Sequence, residues 1–408
     1  MNDTLLHSHI GTYLRELCAT YPDRHLGGPG NRAATDLFER VALASRFEVE
    51  SAELPCVDWE RGSAEVECAG AVSGLLPGPY SLACDVTAPL VSASTIEGLE
   101  RGGFTGAVLL LHGDLVREQL MAKGFVFYNP ESHRRIVAAL EAQAPSAIIA
   151  ATGRNPELSG GAYPFPLLED ADFDIPNAYT TDVEGEALLG LVGQVVSVRI
   201  DSARVPALAA QPIARKRGSG AGRVVLTAHI DSKDGSPGAL DNATGAAALL
   251  GCMELLAGYD GSLTVEVVPF NGEDHYAATG QMHYVADNEG RWGEILLNVN
   301  VDGAGSAGSC TEVSFYGVPE PRQRVVEQAM RDRAFAEGPQ WPQGDHSIFA
   351  MQGVPAVAVT SANVFFVAST VAHTERDTIE GIDIGAVASV ARFLADTVTG
   401  LANEGRGE

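Results

Sequence analysis

The sequence predicts an α/β fold in which a mostly parallel mixed sheet carries helices on both faces and a β-rich domain is inserted. Three observations lead to this prediction. From residue 223 onward, apolar strand-like runs alternate with longer helical segments, a pattern typical of a largely parallel sheet. Residues 56–204 instead contain short β-like runs separated by Gly and Pro. The first fifty residues read as two helices, which are too few to bury a core alone.

The helical start is predicted to belong with the C-terminal half of the chain. Leu5, Ile10, Leu14 and Leu17 recur at helical spacing, a glycine-rich turn follows at 27–30, and a second helix covers 33–47. Because this pair needs a larger partner, the main domain is expected to be discontinuous. It comprises residues 1–55 and 205–408, with residues 56–204 as the insertion.

The remaining elements follow in chain order. The inserted segment contains β-like runs at 107–111, 147–151 and 195–200. The C-terminal half is predicted to contain strands at 223–228, 263–270, 295–301 and 354–360, with packing helices at 243–256, 276–287, 321–335 and 384–401.

Composition excludes several classes of partner. The chain has 53 acidic and 27 basic residues and a formal net charge of −26, so neither nucleic acid nor an anionic membrane is an expected partner. We find no pattern of a signal peptide and no run of eighteen apolar residues. The six cysteines form no CxxC pair, as expected for reduced thiols, and we predict a cytoplasmic protein.

Side chains that can bind metal or transfer protons follow the predicted strands, open the next helix or, for one histidine, lie in a late loop. In an open α/β sheet the carboxyl ends of the strands form the binding crevice, so distant residues can converge there. Imidazole and carboxylate groups suit two Zn²⁺ ions per chain, with another divalent transition metal left open. The candidates are His229, Asp231, Asp241, Glu273, Asp274, Asp302 and His373.

Six ordered motifs around these residues resemble metallopeptidase family 28, the co-catalytic zinc aminopeptidases, which also include glutaminyl cyclases and transferrin-receptor-like proteins. The resemblance covers residues 1–55 and 205–408 and implies a fold of the zinc-exopeptidase type. The segments GAVLLLHGD (106–114) and PSAIIAATGR (145–154) resemble the protease-associated domain that is often inserted in this family. The six motifs are AHIDS (228–232), GALDNATG (238–245), FNGEDHY (270–276), NVNVDGAG (298–305), GDHSIF (344–349) and AHTERDT (372–378).

The resemblance assigns a metal-binding role to five residues. His229 and Asp302 are implied to bind one zinc ion, and Asp274 and His373 the other. Asp241 is implied to bridge the two ions. In many relatives the position of Asp274 holds Glu, which is one methylene longer, so the preference for a particular metal is less defined here.

Other roles follow from the same resemblance. Glu273 matches the family's general base, which takes a proton from the attacking water and passes it to the leaving amine. Asp231 is expected to hold the second ring nitrogen of His229 and so to select its tautomer. Asn242 is expected beside the bridging carboxylate, facing the substrate. Asp377, in the last motif, is expected to orient or cap its loop and is given no catalytic role.

The oxyanion donor is not evident, because relatives have a Tyr near the last histidine ligand whereas Ala372 precedes His373. His346 is the candidate donor, with Tyr316 behind it. Asp345 is a candidate for contacting the substrate, and stabilisation of a turn is its competing interpretation.

The predicted function is a zinc-dependent aminopeptidase acting on a small peptide or aminoacyl amide. Lys233 and Arg376 lie in the ligand-bearing loops and could instead bind a substrate carboxylate, as in a carboxypeptidase or dipeptidase. Glutaminyl cyclisation is a second enzymatic alternative, and a non-catalytic receptor-like binding module is a third. A homo-oligomer is left open.

Overall fold

The computed structural model describes residues 1–154, 160–342 and 344–404. The chain divides into two compact units. The first comprises Met1–Cys56, Leu208–Val367 and Ala372–Glu408, and the second comprises Val57–Ala207 together with the short segment Ala368–Val371.

Within the described ranges the chain forms β-strands, α-helices and short 3₁₀ or π-helical turns. The strands are β1 (Glu48–Cys68), β2 (Ala71–Pro77), β3 (Cys84–Ala93), β4 (Val108–Leu111), β5 (Ala147–Thr152), β6 (Asn177–Thr181), β7 (Val195–Lys216), β8 (Arg223–His229), β9 (Thr264–Phe270), β10 (Ile295–Val301), β11 (Thr311–Tyr316), β12 (Ala336–Glu337) and β13 (Ala356–Ser361). The α-helices are α1 (Asp3–Arg15), α2 (Pro29–Ala44), α3 (Ile96–Arg101), α4 (Glu131–Gln143), α5 (Asp182–Leu189), α6 (Thr244–Leu255), α7 (Thr279–Asp287), α8 (Glu320–Arg331), α9 (His346–Met351), α10 (Val364–Ala368) and α11 (Ile384–Glu404). The short turns are Glu16–Thr20, Gly113–Val116, Ala239–Ala243, Trp292–Glu294 and Ile379–Gly381.

The sheet of the first unit has the strand order β7-β9-β8-β10-β13-β11-β12. Its centre is parallel, since β8 pairs in parallel with β9 and β10, and β10 with β13. The flanking strands β7 and β11 pair antiparallel with β9 and β13. The predicted fold class, a mostly parallel mixed sheet, is therefore confirmed.

Helices cover both faces of this sheet because its central strands are apolar on both sides. On β8, Val224, Leu226 and Ala228 point into a core that they share with α1, α2, α6 and α11. On the opposite face, the ring of Phe270 lies 5.3 Å from that of Tyr284 on α7 and 6.4 Å from that of Phe349 on α9. Strands buried on both faces are what the continuous apolar runs in the sequence predicted.

The last helix, α11, is long and apolar enough to span a membrane by length and composition alone. Its apolar side is packed in the core of the first unit, where Val390, Phe393, Leu394 and Val398 are fully buried. Core helices of this kind pass the same test. The predicted absence of a membrane-spanning segment stays a prediction.

The second unit is also built around parallel strands. Strands β3, β4, β5 and β6 pair in parallel in that order. Strand β2 pairs antiparallel with β6 and with β1, β3 pairs antiparallel with β7, and β1 also pairs with β7. Its identity as a protease-associated domain stays a prediction.

Candidate metal centre and active site

The candidate site lies in the first unit at the carboxyl ends of its parallel strands. His229 is the last residue of β8, and Asp302 directly follows β10. Glu273 and Asp274 lie in the loop after β9. Parallel strands present their carboxyl ends at one edge, and this explains how residues up to 73 positions apart in the chain come together.

Asp241 lies between the two histidines. Its Oδ1 atom is 3.0 Å from Nε2 of His229, and its Oδ2 atom is 3.1 Å from Nε2 of His373. Each oxygen of one carboxylate therefore faces a different imidazole, which is the arrangement that a bridging ligand requires. Asp241 lies in an irregular turn just before α6, with φ −117° and ψ 83°.

The two other carboxylates predicted to bind metal, Asp302 and Asp274, each lie near a different histidine. Asp302 Oδ1 is 3.8 Å from Nε2 of His229, and Asp274 Oδ1 is 3.3 Å from Nε2 of His373. The structure thus brings together two groups that share Asp241, each with one imidazole and one further carboxylate. All five residues predicted to bind metal lie in this cluster.

The cluster fits divalent transition metals such as zinc. Two imidazole nitrogens and three carboxylates form the donor set that Zn²⁺ prefers. Asp274 Oδ2 is buried and has no hydrogen-bond partner in the part of the chain that the structure describes, so this oxygen is left unsatisfied. Suitable atoms of His229, Asp241 and Asp274 all lie within 4.8 Å of one another.

The electrostatics of the protein without metal also reflect this geometry. Burial alone would lower the pKa of His373, but Asp274 and Asp241 outweigh burial and raise the pKa to about 10. The pKa of His229 is likewise raised above its usual value, against the effect of burial, by Asp231, Asp241 and Asp302. Both shifts favour protons on the imidazoles, and cation binding competes with these protons.

Glu273 lies in an environment that favours its protonated form. Burial raises the pKa of its carboxyl group well above the usual value, and the nearby charges of Asp274, Asp345 and Asp302 add to that rise. Only His229 opposes these effects among the main contributors. A carboxyl group with a raised pKa is a stronger base than an ordinary carboxylate, and it can both accept and return a proton.

Asp231 supports the site in a different way from the one predicted. Its Oδ1 atom lies 3.7 Å from Nδ1 of His229, too far for a hydrogen bond, and this buried Nδ1 atom has no partner within residues 1–154, 160–342 and 344–404. Instead, its two carboxylate oxygens accept hydrogen bonds from the backbone N–H groups of Glu273 (3.2 Å) and Asp274 (3.0 Å). Asp231 therefore orients the loop that carries the predicted base and one metal ligand.

The structure does not support His346 as an oxyanion donor. The side chain is fully buried, and its Nε2 atom lies 3.0 Å from the backbone oxygen of Trp341. The ring packs against Tyr316 and Trp341, with centroids 4.5 and 4.4 Å away. Burial lowers the pKa of His346 to about 4, so the ring is neutral at pH 7 and its single N–H donates to Trp341. Tyr316 also bonds to the backbone of Trp341.

We expect His346→Ala to destabilise the protein by about 2–4 kcal/mol at pH 7, because it empties a buried space between two aromatic rings. The folded pKa lies below the unfolded value of 6.5, so the contribution of the neutral ring is complete above pH 6.5. It is lost as the pH falls towards 4. Urea unfolding of wild type and variant should therefore show a smaller difference at pH 4.5 than at pH 7, and an equal difference would contradict the buried, neutral state.

Asp345 is also buried. Its Oδ1 atom accepts a hydrogen bond from Nε2 of Gln281 at 2.5 Å, whereas Oδ2 has no hydrogen-bond partner among the described residues. Burial raises the pKa of this carboxyl group to about 7. One carboxylate oxygen of Asp345 thus contacts α7, and its predicted contact with substrate stays a prediction.

Asn242, Lys233 and Arg376 are the other three residues predicted to bind substrate. The side chain of Asn242 is fully buried, donates to the backbone oxygen of Val301 (2.8 Å) and accepts from the N–H of Gly245 (3.0 Å), so it caps α6. Lys233 donates to the backbone oxygen of Asp274 at 2.6 Å. Arg376 is exposed. The amide of Asn242 has both polar atoms engaged within the protein, contrary to its predicted substrate role.

Arg24 is an important residue of the site that sequence reasoning missed. Its guanidinium group is fully buried and donates to the backbone oxygens of Leu17, Ile230, Pro237 and Gly238 at 2.7–3.0 Å. These contacts hold the segment between His229 and Asp241. The partners are main-chain atoms, so no side-chain motif signals this role in the sequence.

Comparisons with known proteins agree with this architecture. Residues 213–398 match the model of "Peptidase family M28". No curated protein sequence matches the chain. Apart from Ala368–Val371, the family match lies within the first unit, and the resemblance to this family inferred from the motifs is confirmed.

Several solved structures share the fold. The aminopeptidase from Aneurinibacillus sp. strain AM-1 aligns with a TM-score of 0.72 at 19% identity, over 97% of this chain and 93% of its own. The zinc aminopeptidase BSAP from Bacillus subtilis aligns with a TM-score of 0.71 at 18% identity, over 96% and 94%. The Peptidase M28 precursor from Shewanella amazonensis SB2B aligns with a TM-score of 0.66 at 18% identity, over 97% and 96%. At these identities the likeness shows a common fold.

Proposed function

We propose that this protein is a two-metal aminopeptidase that hydrolyses the N-terminal amide bond of small peptides. The observation that carries the proposal is the position of Asp241, whose two carboxylate oxygens face His229 and His373 separately. A single metal ion would not need a carboxylate shared between two imidazoles. The names of two structural neighbours, an aminopeptidase and a zinc aminopeptidase, agree with the proposal.

The five clustered side chains would hold the two ions, and zinc is the proposed metal. His229 and Asp302 would hold one, Asp274 and His373 the other, and Asp241 both. When bound, divalent cations polarise a substrate carbonyl group and lower the pKa of water. The negative charge of the cluster, which raises the pKa of both histidines, favours binding of these cations.

Glu273 would transfer the proton in the reaction. Its carboxylate would accept a proton from the attacking water and then give that proton to the leaving amine. Asp231 would keep the base in place, because it accepts hydrogen bonds from the backbone N–H groups of Glu273 and Asp274. This proton transfer needs no other acid, since the same carboxylate gains one proton from water and then gives that proton to the leaving amine.

Recognition of the substrate's amino terminus is favoured over recognition of its carboxylate. Lys233, one of the two cations in the ligand-bearing loops, already donates to the backbone oxygen of Asp274 at 2.6 Å. The other, Arg376, is exposed. The cytoplasmic location is also proposed, and it is supported by the six cysteines, all of which are free thiols.

Amino-terminal recognition can be tested with matched substrates. We expect wild-type protein loaded with zinc to hydrolyse an aminoacyl anilide and to leave its N-acetylated counterpart almost intact, because acetylation removes the charged amine. An N-blocked dipeptide with a free carboxylate serves as the third substrate. Preferential hydrolysis of the N-blocked dipeptide would contradict the proposal and favour the carboxypeptidase or dipeptidase alternative.

A further inference from the structure

The turn that carries Asp241 receives unusual support from Asp377. The turn precedes α6, and N–H groups at the start of a helix have no acceptor within the helix itself. The N–H groups of Leu240 and Asp241 donate to Oδ1 and Oδ2 of Asp377, at 2.8 and 3.0 Å, and the N–H of Ala239 donates to its backbone oxygen at 3.1 Å. One residue thus accepts three consecutive N–H groups.

Asp377 also belongs to the loop that carries His373. Its backbone N–H donates to the backbone oxygen of Thr374 at 3.1 Å, which closes the short turn between the two residues. The side chain of Asp377 is only 2% exposed, so water does not compete for these hydrogen bonds. The same short segment therefore provides one histidine of the cluster and holds the backbone of the carboxylate that contacts that histidine.

A second charged residue acts on the other side of this turn. Arg24 donates to the backbone oxygens of Pro237 and Gly238, directly before the residues that Asp377 holds. Burial raises the pKa of the Asp377 carboxyl group to about 6, and the charge of Arg24 acts against this rise. Residues 237–241 therefore lie between a buried cation that binds their carbonyl groups and a buried carboxylate that binds their N–H groups.

We propose that Asp377 is a positioning residue that orients the Asp241 carboxylate towards both histidines. This inference rests on the proposed function, because the bridging role of Asp241 is itself part of that proposal. An amide cannot replace the carboxylate, since its NH₂ group would face an N–H and only one acceptor would remain. Partners that orient a metal ligand typically change metal affinity by about 10–100-fold when they are lost.

The test is titration of metal-stripped full-length protein with Co²⁺, followed by calorimetry and by the visible absorption of the bound ion. Asp377→Asn is compared with wild type and with Asp383→Asn. Asp383 is the matched control, because its Oδ1 atom also accepts two backbone N–H groups, from Gly385 (2.8 Å) and Ala386 (3.1 Å), at the start of α11. Its side chain contacts none of the proposed metal ligands in the described residues.

We expect wild type and Asp383→Asn to bind two ions with the same spectrum. Asp377→Asn should bind the second ion about 10–100-fold more weakly and show an altered spectrum. Its kcat should fall by a larger factor than its KM changes. Wild-type affinity and an unchanged spectrum in Asp377→Asn would overturn the positioning role alone. A wild type that binds fewer than two ions would instead overturn the proposed two-metal site, and the positioning role with it.

If Asp377→Asn fails to fold, Asp377→Glu provides the same measurement. Glutamate keeps the charge and both acceptor oxygens but is one methylene longer, so it should shift Asp241 without exposing the N–H groups. We then expect weaker binding of the second ion and an altered spectrum. Binding and a spectrum identical to those of wild type would overturn the inference.

Discussion

Replacing Glu273 with glutamine is expected to lower kcat for an aminoacyl anilide by about 10²–10⁴-fold, the usual contribution of a general base. Glutamine has nearly the same size but cannot accept and return the proton. Glu273 is not among the five side chains that form the proposed metal cluster, so metal content should stay at the wild-type value. The measurement is steady-state kinetics together with elemental analysis of the same preparation.

The control for this variant is Glu320→Gln, since the Glu320 side chain on α8 is 83% exposed and forms an ion pair with Arg324 on the same helix. It should retain wild-type kcat. Glu273→Gln should also change the pH dependence of kcat/KM. The limb of the kcat/KM profile that reports the ionisation of the Glu273 carboxyl group should disappear. Activity in Glu273→Gln within threefold of wild type would show that another group transfers the proton.

Asp241→Asn is expected to abolish the stabilisation that zinc gives to the wild-type protein. A ligand present at 100 times its Kd stabilises a folded protein by about 2.7 kcal/mol, so zinc should raise the Tm of metal-stripped wild type by several degrees. The variant loses the carboxylate that faces both His229 and His373. We expect its zinc affinity to fall by more than about 100-fold, beyond the usual effect of an indirect partner.

The measurement is thermal unfolding of metal-stripped protein with and without zinc. Asp383→Asn, which removes an exposed carboxylate at the start of α11, should keep the full zinc-dependent rise in Tm. A rise of wild-type size in Asp241→Asn would mean that the bridging position belongs to another residue. The proposed assignment of ligands would then be incorrect.

Much of this architecture can be predicted from the sequence, because its signals are side-chain patterns. The strand β8 was predicted at 223–228 and spans Arg223–His229, since an apolar run buried on both faces is readily recognised. The metal cluster was predicted for a related reason. Acidic residues and histidines that directly follow buried strands leave few structural alternatives, and the sheet brings them to one edge.

The supporting contacts could not be predicted, because they join side chains to main-chain atoms. Arg24 binds four carbonyl groups and Asp377 binds N–H groups, and neither contact requires a recognisable partner residue in the sequence. The role of His346 depended on its burial. The motif GDHSIF singled out His346 as a candidate, but only the packing of Tyr316 and Trp341 around the ring shows that it is buried.

The most direct test of the proposed site is the number of zinc ions bound per wild-type chain at saturation. It is measured by elemental analysis after zinc loading and removal of free metal, with hydrolysis of an aminoacyl anilide followed at each added equivalent. The shared position of Asp241 between His229 and His373 predicts two ions per chain and activity that rises until both are bound. A saturated wild-type chain that binds one zinc ion or none would contradict the two-metal site, whatever its activity.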